Sequence, residues 1–279
     1  MSIKIYLDNN FFDEYDKCQD LSLKSKIKGA FQTKKTSFYP SKELLDEMVR
    51  ILESEKRKDL WPERRRLFWE LSPQRFFIYW GDIVRKEILG MSDSIYLTKS
   101  QEEQTRNILY RIEKAEHIVE IANVVKGENL GHWEWHKNKQ EEIRIQKKQG
   151  LKRGEIKSFD EFNKKYWDIH GVSLLKDIIL REEKDEDKAQ MKACSTMNNI
   201  EQYSYINVFL RITSAMFFRY FFEDREVKES DYYDAVQLIY MAGLDVLITE
   251  DRSFKELCRL VFGSQKKIYS FNDINSLLS

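Results

Sequence analysis

The sequence predicts an α/β fold, a central parallel sheet flanked by helices and carrying a large, mostly helical insertion. Three observations lead there. Short apolar strands alternate with helical segments towards both ends of the chain, the pattern of a parallel sheet covered on both faces. The 279 residues include only three prolines and ten glycines, which favours helices over a succession of β-turns. Residues 91–200 are charged, helix-periodic and almost without strand-like runs. The ends, 1–90 and 201–279, are therefore expected to form one core, with 91–200 as the insertion.

The elements follow in order. Ile3–Leu7 alternates apolar and polar residues and is the first strand, and the stretch through Leu21–Phe31 is helical. TSFYPS (36–41) is strand-like, and Pro40-Ser41 signals the start of the helix KELLDEMVRILESEK. RFFIYW (75–80) predicts a third strand, followed by the helical DIVRKEIL. LDVLIT (244–249) is a fourth strand, SFKELCRLVF a helix and KKIYSF (266–271) a fifth strand. The most apolar stretch, 203–222, contains Arg211 and Arg219, which argues for a buried helix and against a membrane span.

Composition narrows the class. At 42% hydrophobic and 13% aromatic residues the chain can bury one large domain, or a core with a sizeable insertion. Lys+Arg and Asp+Glu balance at 47 each, so a nucleic-acid or membrane partner would need a local patch. Cys18, Cys194 and Cys258 are odd in number and lack CxxC spacing, which points to reduced thiols and a cytoplasmic protein. The opening MSIKIYLDNN is too short and too acidic for a signal peptide.

In an open parallel sheet, ligands bind outside the carboxyl ends of the strands. Asp8 ends the first strand, where it could equally cap a turn. Glu47 lies at the edge of the apolar face of its helix, with Glu43 and Asp46 further round. Asp251 lies just beyond DVLIT; the next helix has its own capping box in Ser253–Glu256, so Asp251 is not needed as its cap. Asp234 opens the helix leading into that strand, and Asp231 fits the helix cap three residues before it.

KIYLDNNFF, SKELLDEMVRIL, DYYDAVQLIYMAGLDVLITEDRSF and KKIYSFNDINSLL, in that order, resemble the sequence blocks of PIN-domain nucleases. The matched blocks cover most of 1–90 and 228–279 and leave the insertion unmatched. The resemblance implies a PIN-like sheet, with Asp8, Glu47, Asp234 and Asp251 as catalytic, metal-binding acids and Asp231 as a fifth ligand. It gives Thr249 a supporting role through its hydroxyl. The chain is longer than the usual family member, and its third block offers two aspartates; the Asp-Ala step favours Asp234.

The chemistry of such a set is restrictive. Two carboxylates ~4 Å apart repel by about 4 kcal/mol at an effective dielectric near 20. Four together take up protons or bind a cation. Oxygen-only ligands select Mg²⁺ or Mn²⁺ over zinc. The expected reaction is metal-assisted hydrolysis of an RNA phosphodiester, by resemblance leaving 5′-phosphate and 3′-hydroxyl ends, with single-stranded DNA as an open second substrate. Such domains often act as the toxin of a toxin–antitoxin pair or in phage defence. The expected partners are therefore RNA, an inhibitory antitoxin-like protein and a second copy of the chain, with no membrane.

The insertion adds a candidate grip. Residues 137–157 hold eight Lys/Arg against three Glu, and Trp133 and Trp135 just before them could stack on bases. Lys147, Lys148, Lys152 and Arg153 would bind phosphates; the bland alternative is a solvated helix whose tryptophans anchor it to the core. His132 and His136 are four residues apart but lack a third ligand, so no zinc is expected. Two other functions compete: a catalytically silent PIN-like RNA-binding or scaffold module, and a haloacid-dehalogenase-type phosphatase with Asp8 as nucleophile and Asn10 in place of the second acid. Charge reversal of Lys147, Lys148, Lys152 and Arg153 is expected to weaken single-stranded RNA binding. It is also expected to flatten the log–log salt dependence by about 0.7 for each phosphate no longer neutralised. Filter binding across salt concentrations checks this, and an unchanged slope leaves the segment a solvated face.

Overall fold

The computed structural model describes residues 2–33, 35–54, 56–91, 95–111, 156, 158–222, 225 and 229–278. Among them lie four strands, β1 (Ile3–Leu7), β2 (Thr36–Phe38), β3 (Val246–Ile248) and β4 (Lys267–Tyr269), all parallel, in the order β2-β1-β3-β4. The α/β class is therefore as the sequence predicts. Ile5, Tyr6 and Leu7 are all inaccessible to solvent, as are Leu247 and Ile248. Consecutive burial means that both faces of the central strands are covered, the condition under which parallel sheets occur.

Helices α1 (Asn9–Lys17) and α2 (Leu21–Gln32) connect β1 to β2. Beyond β2 come α3 (Lys42–Val49), α4 (Trp61–Glu70), α5 (Trp80–Ile88) and α6 (Lys99–Arg111). Ser41 caps α3 by accepting from the Leu44 N–H at 3.1 Å, so Pro40-Ser41 is the helix start that the sequence signals. Then follow α7 (Phe159–Ile179), α8 (Glu186–Asn198), α9 (Ser204–Phe222), α10 (Glu229–Tyr240), α11 (Arg252–Phe262) and α12 (Ile274–Leu278). Helix α9 is a hub: it packs against α5, α7, α10 and α11. Among the described residues no helix is long and apolar enough to cross a membrane, and α9 takes the buried role expected of it. All three cysteines are free.

RFFIYW is not a strand. Phe77 makes one isolated antiparallel bridge to Tyr96, and α5 has already begun at Trp80. The backbone divides its hydrogen bonds. Gln74 and Phe77 donate to the carbonyls of Phe38 and Pro40, whereas Ile78 donates to Ile95 and Phe76 accepts from Leu97. Pro40, lacking an N–H, offers no donor for a ladder running on from β2. The apolar run is nonetheless buried, because Phe76, Phe77 and Ile78 fill the core beyond the β2 edge.

The strand order places a switch point between β1 and β3. The chain moves from β1 outward to β2, then returns to the other side of β1 for β3. Helix α1, which leaves the end of β1, is pinned by Arg64 of α4. That guanidinium is 1% exposed and pairs with Asp13 and with Asp16 (2.7 Å) on one face of α1, and Arg57 joins Asp13. Removing one side of a buried ion pair leaves uncompensated charge, which typically costs 3–5 kcal/mol. Arg64→Ala is therefore expected to lower the unfolding free energy by about 3–5 kcal/mol in urea titrations; a loss below ~1 kcal/mol would mean that α1 does not depend on this pair.

Candidate active site

Asp8 stands at the switch point, one residue beyond β1, and its N–H donates to the Ile248 carbonyl of β3 at 3.0 Å. Its carboxylate is 6% exposed and takes three donors: the Asn9 N–H (2.7 Å) and Asn10 Nδ2 (2.9 Å) from α1, and the Thr249 hydroxyl (2.6 Å) from the end of β3. The cap and the gathered acid are thus one residue, for Asp8 is the N-cap of α1 as well. Burial pushes its carboxyl above the ordinary range, the three donors oppose that, and the charge of Asp251 adds to it.

Thr249 links the first motif block to the third, in which it lies with Asp251. While its Oγ1 donates to Asp8, the same oxygen accepts from the Asp251 N–H at 3.0 Å. Asp251 in turn caps α11 by accepting from the Phe254 N–H at 2.9 Å. This corrects the expectation that Ser253–Glu256 supplies the cap. Ser253 lies inside α11, and Glu256 pairs with Arg252 (2.9 Å) and faces Arg219 (3.8 Å).

Glu47 comes from α3, partly buried, and its Oε2 accepts from Gln237 Nε2 of α10 at 2.9 Å. Burial raises its carboxyl well above the ordinary range, and repulsion from Asp8, Asp234 and Asp46 raises it further, against the Gln237 bond. Asp234 is pushed up to about 8 by burial, then by the charges of Asp251, Asp8 and Asp231. Segments remote in sequence thus bring Asp8 and Asp234 within electrostatic reach of both Glu47 and Asp251.

Other expectations need adjusting. Helix α10 begins at Glu229, so neither Asp231 nor Asp234 starts it; Asp231 lies in its first turn, 3% exposed, and pairs with Arg225 at 2.8 Å. Glu43 is not turned away: it is 3% exposed and accepts from the Tyr240 hydroxyl at 2.5 Å. A helical wheel places Glu43 and Glu47 only about 40° apart, and burial from two sides takes in both. Two site neighbours were missed. Gln237 carried no signal beyond being a polar residue on an apolar helix face. Arg219 did carry one, a charge within the most apolar helix: its guanidinium is 6% exposed, reaches the Ser253 carbonyl and draws the carboxyl of Asp234 down.

The acids gather without forming a finished coordination sphere. Among the described residues no group of three or more His, Cys, Asp or Glu has the arrangement of a metal site. Asp8, Asp231 and Asp251 each direct oxygens at donors of the protein itself. Trp133, Trp135, His132, His136, Lys147, Lys148, Lys152 and Arg153 lie outside the described residues. No protein-family model, curated protein or solved structure matches the chain.

The raised carboxyls set a pH dependence. Between the ordinary carboxylate range and about 8, folded chains retain a proton on Asp234 that unfolded chains have released. The native state therefore binds more protons there, and stability falls as pH rises across this window. In EDTA, urea unfolding is expected to show a declining free energy from ~pH 5 to ~pH 8, flattened by Asp234→Asn. An identical slope in the variant would mean that residue 234 does not carry the effect.

Proposed function

We propose that the protein is a PIN-like, Mg²⁺- or Mn²⁺-dependent nuclease that hydrolyses RNA phosphodiester bonds. The observation that carries this reading is the Asp8–Thr249–Asp251 chain of hydrogen bonds. It ties two acids of separate motif blocks across the carboxyl ends of β1 and β3, at the switch point where open α/β sheets take their ligands. Glu47 on α3 and Asp234 on α10 add to this reading, since each carboxyl is raised by burial and then by charges that include Asp8.

The donor set suits a hard divalent cation. Its acids offer only oxygen, and burial first, then repulsion among them, raises the carboxyls of Asp8, Glu47 and Asp234. Asp8, Glu47, Asp234 and Asp251 would hold the ion, with Asp231 beside them, neutralised by Arg225. When bound, such a cation stabilises charge on the phosphate and eases deprotonation of an attacking water. The protein's own groups do the rest. Three donors fix one orientation of the Asp8 carboxylate, and Thr249 keeps Asp8 in register with Asp251.

Two observations favour the second reading, a silent RNA-binding or scaffold module: the acids' own hydrogen bonds and the lack of a formed ligand cluster among the described residues. End-labelled single-stranded RNA, incubated with Mg²⁺, Mn²⁺ or EDTA, separates the two. The nuclease reading expects cation-dependent cleavage, reduced by more than about 100-fold in Asp8→Asn and Asp251→Asn, since even groups that only support metal ligands account for 10–100-fold. RNA bound but uncut by the wild type would instead establish the binding module.

A further inference from the structure

Helices α3 and α10 are joined by two polar rungs. Glu43 accepts from Tyr240 at 2.5 Å and Glu47 accepts from Gln237 at 2.9 Å. The higher-numbered acid pairs with the lower-numbered residue of α10, so the helices pass each other in opposite senses. One turn before Gln237, and on the same side of α10, is Asp234. Gln237 therefore neighbours two of the site acids, bonded to Glu47 and one turn beyond Asp234 in the same sequence block.

Its side chain is only half used. Gln237 is 1% exposed; Nε2 is spent on Glu47, and Oε1 has no hydrogen-bond partner among the described residues. A buried amide oxygen without a donor is costly, and native structures rarely keep one without a use. Because Nε2 of this amide is held against Glu47, its unpartnered oxygen lies beside that carboxylate.

We propose that Gln237 is part of the cation site: its N–H positions Glu47, and its Oε1 is a neutral oxygen donor to the ion. This inference rests on the reading of the acids as a cation site. Hard cations accept amide carbonyls alongside carboxylates. A neutral donor completes a coordination sphere without adding a further charge to groups that already repel. It also relieves the orphaned oxygen, so the cation and the buried amide satisfy one another.

The test measures Mn²⁺ affinity of the full chain by electron paramagnetic resonance, for wild type, Gln237→Leu and Gln237→Glu. Leucine fills the space without polar atoms; glutamate keeps the oxygens and loses the N–H. Gln237→Leu is expected to weaken Mn²⁺ binding by about 10–100-fold with cooperative unfolding retained. Gln237→Glu is expected to melt lower in EDTA, through its added carboxylate, yet to bind Mn²⁺ within about tenfold of wild type and regain its melting temperature with the ion. A purely structural glutamine would not give that reversal. Equal affinity in wild type and Gln237→Leu overturns the proposal, and equal weakening in both variants overturns the donor assignment. Should Gln237→Leu not fold, Gln237→Glu decides alone, and lost affinity with an intact fold counts against the proposal. A wild type that binds no Mn²⁺ defeats the cation-site reading itself, an outcome distinct from all of these.

Discussion

Carboxylates that repel one another are held together in a partly buried space, and much of the surrounding structure compensates for that. Two ionised carboxylates ~4 Å apart repel by about 4 kcal/mol at an effective dielectric near 20, whereas a hydrogen bond to a charged group returns only about 1.5–3 kcal/mol. The molecule accordingly uses several devices at once. Asp8 receives three donors, Asp231 an arginine, Glu47 an amide, and Asp234 the field of the buried Arg219. Even so, burial and repulsion prevail, since Asp8, Glu47 and Asp234 all remain above their ordinary range.

The scaffold beneath is stiff where it needs to be. Tyr6 of β1 stacks on Tyr240 at 6.3 Å, Tyr240 packs on Phe77 at 4.9 Å, and Phe77 stacks on Tyr96 at 5.0 Å. This aromatic row runs from the strand that leads into Asp8 to the segment beyond β2, joining the central strand, α10, Phe77 and Tyr96. The hydroxyls of Tyr6 and Tyr240 serve Ser41 and Glu43, which sets the start of α3 and hence the approach of Glu47.

Much of this was legible in the sequence, and the failures have identifiable causes. β1, β2, β3 and β4 were readable because short apolar runs between helical segments have few alternatives. RFFIYW was misread because burial, which apolar composition reports, is not the same as a ladder, which backbone partners decide. Asp251 was excused from capping on a local pattern, Ser253–Glu256, although an aspartate standing one residue before the helix is the better-placed cap. Glu43 and Gln237 were hidden for a different reason: their partners, Tyr240 and Glu47, lie 197 and 190 residues away, and no local pattern reports such a pairing. Asp8 and Asp251 stand beyond β1 and β3 as the order of the sequence implies, since position after a strand is a topological property that sequence order preserves.

The two aspartates at the switch point also start helices, Asp8 for α1 and Asp251 for α11. That double employment bears on how such a site would decay over generations. Alanine at either place discards a helix start along with the charge, at a cost of about 0.5–2 kcal/mol of stability whether or not its chemistry mattered. Asparagine begins a helix about as well as aspartate does and carries no charge. Descendants in which the chemistry has lapsed would therefore be expected to drift from aspartate to asparagine at these two positions, and to keep the architecture long after the activity has gone.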